Sequence, residues 1–203
     1  MADAKQVMEL RNMTGAGIVD VKNALDEANG NVEQAIEILK KKGAAKAAKK
    51  SSERTTAEGI VSSYIHHNKK LGALVELQCE TDFVARNDEF VALANDIAMH
   101  VAAIDPLYLS PETVPGNELE KQQEIFKAEL AEENKPEEIK AKILEGKLNK
   151  WFSEVCLLKQ SFFKDEDKTV EAYINEKIAK IGEKIVVARF TRYVMSPPTQ
   201  AAE

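Results

Sequence analysis

Leu71-Gly-Ala-Leu-Val-Glu-Leu-Gln-Cys79 runs directly into Glu80-Thr-Asp-Phe-Val-Ala-Arg-Asn87, and the reading of this stretch decides the fold. Its first half alternates: Ala73, Val75, Leu77 and Cys79 point one way, Glu76, Gln78 and Glu80 the other. A period of two with one apolar side is a strand with one packed and one wet face. The alternation then stops. Thr81-Asp82 is a helix-start signal, and Asn87-Asp88 is a second one. The stretch is therefore a corner at which a half-buried strand hands over to a helix.

Working outward, Gly59-Ile-Val-Ser-Ser-Tyr-Ile-His66 alternates as well, and His67-Asn68-Lys69-Lys70 separates it from Leu71. Two such runs around a short polar turn predict a hairpin, with Asn68 suited to a left-handed turn position. Beyond the corner, Phe90, Val91, Ala94, Ile97, Ala98, Val101 and Ile104 keep helical spacing until Pro106 ends the helix. Pro111, Pro115 and Gly116 mark a loop. Two charged helices follow, Glu118 to Glu133 and Pro136 to about Cys156, broken at Asn134-Lys135-Pro136. Their sparse apolar positions predict an antiparallel helical hairpin that protrudes into solvent or meets another chain along a narrow seam. A helix from about Thr169 to Ile181 and a strand from Lys184 to Val194 complete the body.

Toward the N-terminus, three short helices are predicted. The first carries Val7, Leu10 and Arg11. Thr14-Gly15-Ala16-Gly17 is the turn after it. The second places Ile18, Val21, Leu25 and Ala28 on one face and stops at Asn29-Gly30, and Asn31 caps a third with Val32, Ala35, Ile36 and Leu39. From Lys40 to Arg54, seven Lys/Arg face a single acid, Glu53; Lys40 to Ser52 reads as a solvated, partly helical spacer ahead of a nucleic-acid-binding arm, which interleaved aromatics would have marked. The expectation is an α+β fold with a three-stranded antiparallel sheet packed with helices. Its divisions are a three-helix domain over 1–42, a linker over 43–56, a core over 57–195 with the helical hairpin at about 117–156, and a flexible tail over 196–203.

Composition narrows the function. The chain has 203 residues, 44% hydrophobic and 31% charged, and a net charge of −6. That is an ordinary soluble composition and a poor electrostatic match for nucleic acid. No apolar run approaches the roughly 20 residues of a membrane span, and no apolar signal segment opens the sequence, so a cytoplasmic protein without membrane contact is expected. Two cysteines and three histidines build neither a disulfide framework nor a structural zinc site, and no metal or cofactor is expected. Phosphate-binding, dinucleotide-binding, nucleophile-elbow and zinc-protease motifs are all missing. Cys79 and Cys156 read as buried thiols, and His66 and His67 as strand-end turn residues before any catalytic role. Covalent catalysis by this chain is not expected.

Two readings of the corner stay open on physics alone. In one, Thr81 or Asp82 caps a helical turn and Phe83 packs inside. In the other, Phe83 stands out beside a carboxylate as a wedge for a partner's pocket, since aromatic side chains are enriched among interface hot spots.

The segment Glu76-Leu-Gln-Cys-Glu-Thr-Asp-Phe-Val-Ala-Arg-Asn87 strongly resembles the signature of the bacterial translation elongation factor Ts family. Leu10-Arg-Asn-Met-Thr-Gly-Ala-Gly-Ile-Val-Asp20 and Asn29-Gly-Asn-Val-Glu-Gln-Ala-Ile-Glu37 resemble that family's ubiquitin-associated-like three-helix domain, and Tyr64-Ile65-His66 and the terminal strand match too. The resemblance runs from about residue 4 to 195. It implies a guanine-nucleotide exchange factor that binds elongation factor Tu in its GDP form and speeds GDP release. By resemblance, Asp82 and Phe83 wedge near the magnesium and nucleotide site of the GTPase, and His66 lies against the same region. Arg11, Ile18 and Val19 match positions that touch another helix of the GTPase's nucleotide-binding domain. Thr81, Val84, Arg86 and Asn87 belong to the motif and either touch the partner or hold the corner in shape. Longer members carry two copies of the hairpin-and-helix core, whereas this sequence has one. A lone three-stranded sheet leaves an open edge, so a homodimer carrying two Tu molecules, a 2:2 complex, is expected.

Overall fold

A computed structural model of the chain describes residues 3–53, 55–131 and 135–195, with 44–53 as helix backbone. The architecture is mixed helix and sheet, as expected. The helices are α1 (Ala4–Thr14), α2 (Ile18–Glu27), α3 (Val32–Glu53), α4 (Asp82–Ala85), α5 (Asp88–Ile104), α6 (Gly116–Ala131), α7 (Glu137–Val155) and α8 (Val170–Ile181). The strands are β1 (Glu58–Ile65), β2 (Leu71–Cys79), β3 (Ser161–Phe162), β4 (Asp165–Thr169) and β5 (Val186–Val194). An antiparallel sheet of order β1-β2-β5 is joined by a two-stranded ribbon, β3-β4.

Two compact units divide the chain. One comprises Met1–Ser62, Glu76–Ala94 and Ala172–Ala188. It contains the N-terminal helices, whose own core is Val7, Leu10, Val21, Ala24, Leu25, Ala28, Ala35 and Leu39. The α1–α2 turn rests on α8: a β-carbon at Gly15, where φ is +68°, would lie 3.4 Å from the Lys180 Cδ. The Lys180 ammonium pairs with Glu89 at the start of α5, and that hydrogen bond holds the Glu89 carboxyl below its usual range. Gly59 of β1 also needs to be glycine. A β-carbon there would stand 2.3 Å from the Leu77 carbonyl oxygen.

The other unit comprises Ser63–Val75, Asn95–Glu171 and Arg189–Glu203. In it, Ile97, Ala98, Val101, Ala102, Leu157 and Phe162 are buried. His100 is buried among them. One ring nitrogen, Nε2, faces Gln160 Oε1 at 3.0 Å, and the other, Nδ1, accepts from the Phe163 N–H at 3.3 Å. α6 and α7 form the expected hairpin, tied by Lys147, which reaches Glu129 at 2.5 Å and lies over the Phe126 ring.

The burial alternation in β2 is the one expected, with Ala73, Val75, Leu77 and Cys79 inside. Three local expectations are corrected. Ile18, assigned to the packed face of α2, is 50% exposed, because it is the first residue of that helix and lies beyond the core's edge. The left-handed residue of the β1–β2 turn is Lys69 (φ 57°), while the Asn68 side chain accepts from the Lys70 N–H at 2.9 Å. The passage after Gln160 is the β3-β4 ribbon, pairing Phe162 with Asp165. The Lys/Ala stretch, expected to be partly helical, continues helix α3 without a break to Glu53, since neither residue type resists helix formation. Part of the first hairpin helix (132–133), Asn134, Arg54 and the tail at 196–203 lie outside the described residues.

Candidate partner-binding site

β2 delivers the chain to the corner with Cys79 fully buried. Burial and the nearby Glu183 carboxylate push the Cys79 thiol up to about 11, so it stays protonated and donates to the Thr81 carbonyl at 3.2 Å. Thr81 has extended backbone (φ −128°, ψ 155°) and caps α4, its hydroxyl oxygen accepting from the Val84 N–H at 3.4 Å. The four-residue helix α4 is anchored by Ala85, which is 7% exposed. Asn87 then caps α5, its side-chain oxygen accepting from the Glu89 N–H at 2.8 Å. Thr81 and Asn87, the caps of two successive helices, thus bracket α4 within seven residues.

What this frame presents is Phe83. The ring is 84% exposed, more than any other large hydrophobic side chain among the described residues. Asp82 precedes it, half-exposed, and meets the Arg86 guanidinium at 3.3 Å across one helical turn. The reading in which Phe83 packs inside is therefore set aside, whereas the capping role of Thr81 holds. The motif residues separate by contact: Thr81 and Asn87 spend their side chains on caps, while Phe83 and Arg86 face outward. Val84 is partly buried.

In the same unit, Arg11 is exposed on α1, and Ile18 and Val19 open α2 at 50% and 71% exposure. Their turn is linked to α5 through Lys180, as described above. His66 belongs to the other unit. It ends β1 half-buried, with its Nδ1 3.0 Å from the Tyr64 hydroxyl and its ring 4.2 Å from that of His67. Cys156 is fully buried, and burial pushes its thiol up to about 11 as well.

Sequence reasoning missed Glu183. One carboxylate oxygen accepts from the Glu80 and Thr81 N–H groups, each at 3.1 Å, and the other from the Thr81 hydroxyl at 2.7 Å. In return Glu80 Oε1 accepts from the Lys184 N–H at 2.6 Å. The two segments are about a hundred positions apart in sequence, so no local pattern signals the contact.

This corner is carried on a chain whose relatives are recognisable over nearly its full length. A family model described as elongation factor TS matches residues 2–195. The chain belongs to the elongation factor Ts family. An elongation factor Ts from Thermosipho melanesiensis is 56% identical over 195 residues, covering 96% of this chain and 99% of that one. The elongation factor Ts of Geobacter sulfurreducens is 52% identical over 200 residues, 98% and 92% of the two chains. That of Thermotoga maritima is 54% identical over 187 residues, 92% of each. Elongation factor Ts proteins are translation factors, generally the nucleotide exchange factors for elongation factor Tu. No helix among the described residues is long and apolar enough to cross a membrane.

Proposed function

We propose that this chain accelerates GDP release from elongation factor Tu in the cytoplasm by inserting Phe83, with Asp82 beside it, next to the magnesium and nucleotide site of the GTPase. The observation that carries the reading is a phenylalanine 84% exposed on a corner whose backbone is fixed from both sides. Burying such a ring in a partner contributes about 1.5–3 kcal/mol. A thousandfold faster release requires lowering the barrier by roughly 4 kcal/mol, so the wedge supplies a large part and disturbed magnesium ligation the rest. The factor makes no covalent bond; it binds the nucleotide-free GTPase more tightly than the GDP form, and linkage requires GDP to weaken its binding equally.

His66 adds a contact near the same region of the GTPase. Arg11, Ile18 and Val19 form a second, anchoring contact from the three-helix domain at 1–42. Arg86 and Val84 border the wedge, and Thr81 and Asn87 serve by shaping it. Two chains pair to give a 2:2 complex with Tu. This pairing is supported by apolar side chains left open on the sheet strands: Val61 (67% exposed), Ile65 (63%) and Tyr193 (81%).

Binding and exchange are measured separately to test this division. Phe83→Ala slows GDP release more than it weakens affinity for nucleotide-free Tu, and Arg11→Ala does the reverse. Equal losses in both assays for both variants contradict it.

A further inference from the structure

The Phe83 ring is exposed on a helix of only four residues, too short to hold its own direction. Whatever fixes that direction must lie outside α4. Thr81 is the first fixed point, and three of its polar groups are engaged by residues beyond the helix: its N–H and hydroxyl by Glu183, its carbonyl by the Cys79 thiol. Glu183 stands two residues past the end of α8, after Gly182 (φ +93°), and its neighbour Lys184 is held in turn by Glu80. The contact is reciprocal, each segment lending a carboxylate to the other's backbone.

We propose that Glu183 is the positioning residue of the exchange site, setting the direction of Phe83 through Thr81 without touching the partner. The inference rests on Phe83 being the wedge. Hydrogen bonds from three donors to one carboxylate hold the strand-to-helix turn at a fixed angle, so the ring enters the GTPase pocket without first being ordered there. Releasing the carboxylate leaves Phe83 present and exposed but free to sample directions that do not fit. Small misplacements of a reacting or inserting group cost rate more than affinity. The geometry needs hydrogen bonds to both ends of the group rather than charge. A glutamine can accept both backbone N–H groups on its oxygen and donate to the Thr81 hydroxyl oxygen.

The test is a double-mutant cycle in fluorescent GDP release from purified elongation factor Tu, recording the saturating rate and the half-saturating concentration for each variant of the full chain. Glu183→Ala is expected to lower the saturating rate about tenfold with a smaller change in half-saturation, and Glu183→Gln to restore most of it. In a Phe83→Ala background, Glu183→Ala is expected to add no further loss, because the two act as one unit. A wild-type rate for Glu183→Ala overturns the proposal, and so does an equal loss in both backgrounds. Failure of the underlying reading looks different: Phe83→Ala alone then releases GDP as fast as wild type. If Glu183→Ala does not fold, Glu183→Asp carries the test. Its carboxylate is one methylene short of spanning the three donors, so a reduced rate is expected and an unchanged one overturns the proposal.

Discussion

A phenylalanine side chain held in water forgoes about 1.5–3 kcal/mol of burial, and Phe83 does so while Ala85, two residues on, is buried. The same corner holds its thiol in the opposite state. Cys79 is fully enclosed and pushed up to about 11, so almost no thiolate exists near neutrality. Native protein at about pH 8 is therefore expected to leave Cys79 unmodified by an aromatic disulfide reagent, and both thiols to react after denaturation. Rapid native-state labelling of Cys79 contradicts the account of the corner. The thiol's burial was legible in the β2 alternation. The outward direction of Phe83 was not, because the same letters suit a packed ring, and only the family resemblance favoured exposure. Glu183 was invisible for a different reason: it meets Thr81 across a long sequence separation, and one acid after a helix end has no distinguishing pattern.

Among elements, those with a strong period were read to within a residue or two, as with β2, α5 and α8. The β3-β4 ribbon was missed because one of its strands has two residues and the other, Asp165–Thr169, is mostly charged. Helix in the Lys/Ala stretch was legible, but its end at Glu53 was not, because Lys and Ala suit a solvated helix as well as a spacer. Packing of α5 against the Gln160–Phe163 segment gives a pH dependence. Burial lowers the His100 pKa below the ordinary 6.5, and its Nδ1 is occupied by the Phe163 N–H. The unfolded chain therefore takes up this proton first, and stability falls as pH drops through 6.5 toward the lower folded value. The urea midpoint is expected to be lower at about pH 5.5 than at about pH 7.5, and the drop to be smaller in His100→Gln. An equal drop in the variant assigns the effect to other groups.

For the molecule as a whole, the N-terminal helices were expected as a three-helix domain followed by a linker. The Gly15 turn lies against the Lys180 side chain of α8, and α3 runs unbroken to Glu53. In the proposed mode of binding, Arg11, Ile18 and Val19 anchor from a turn held against Lys180 rather than through the effective concentration of a loose linker. The open apolar positions on β1 and β5 bear on assembly. Light scattering at micromolar protein is expected to give twice the chain mass, 22.5 kDa, and a strictly monomeric mass contradicts the paired form. The central claim is that the corner drives exchange catalytically. Its most direct test is release of fluorescent GDP from elongation factor Tu with substoichiometric amounts of this chain. The account predicts complete release, with many Tu molecules turned over per chain, and a saturating rate at least about tenfold lower for Phe83→Ala. Release no faster than the spontaneous rate, or an undiminished rate in Phe83→Ala, contradicts it.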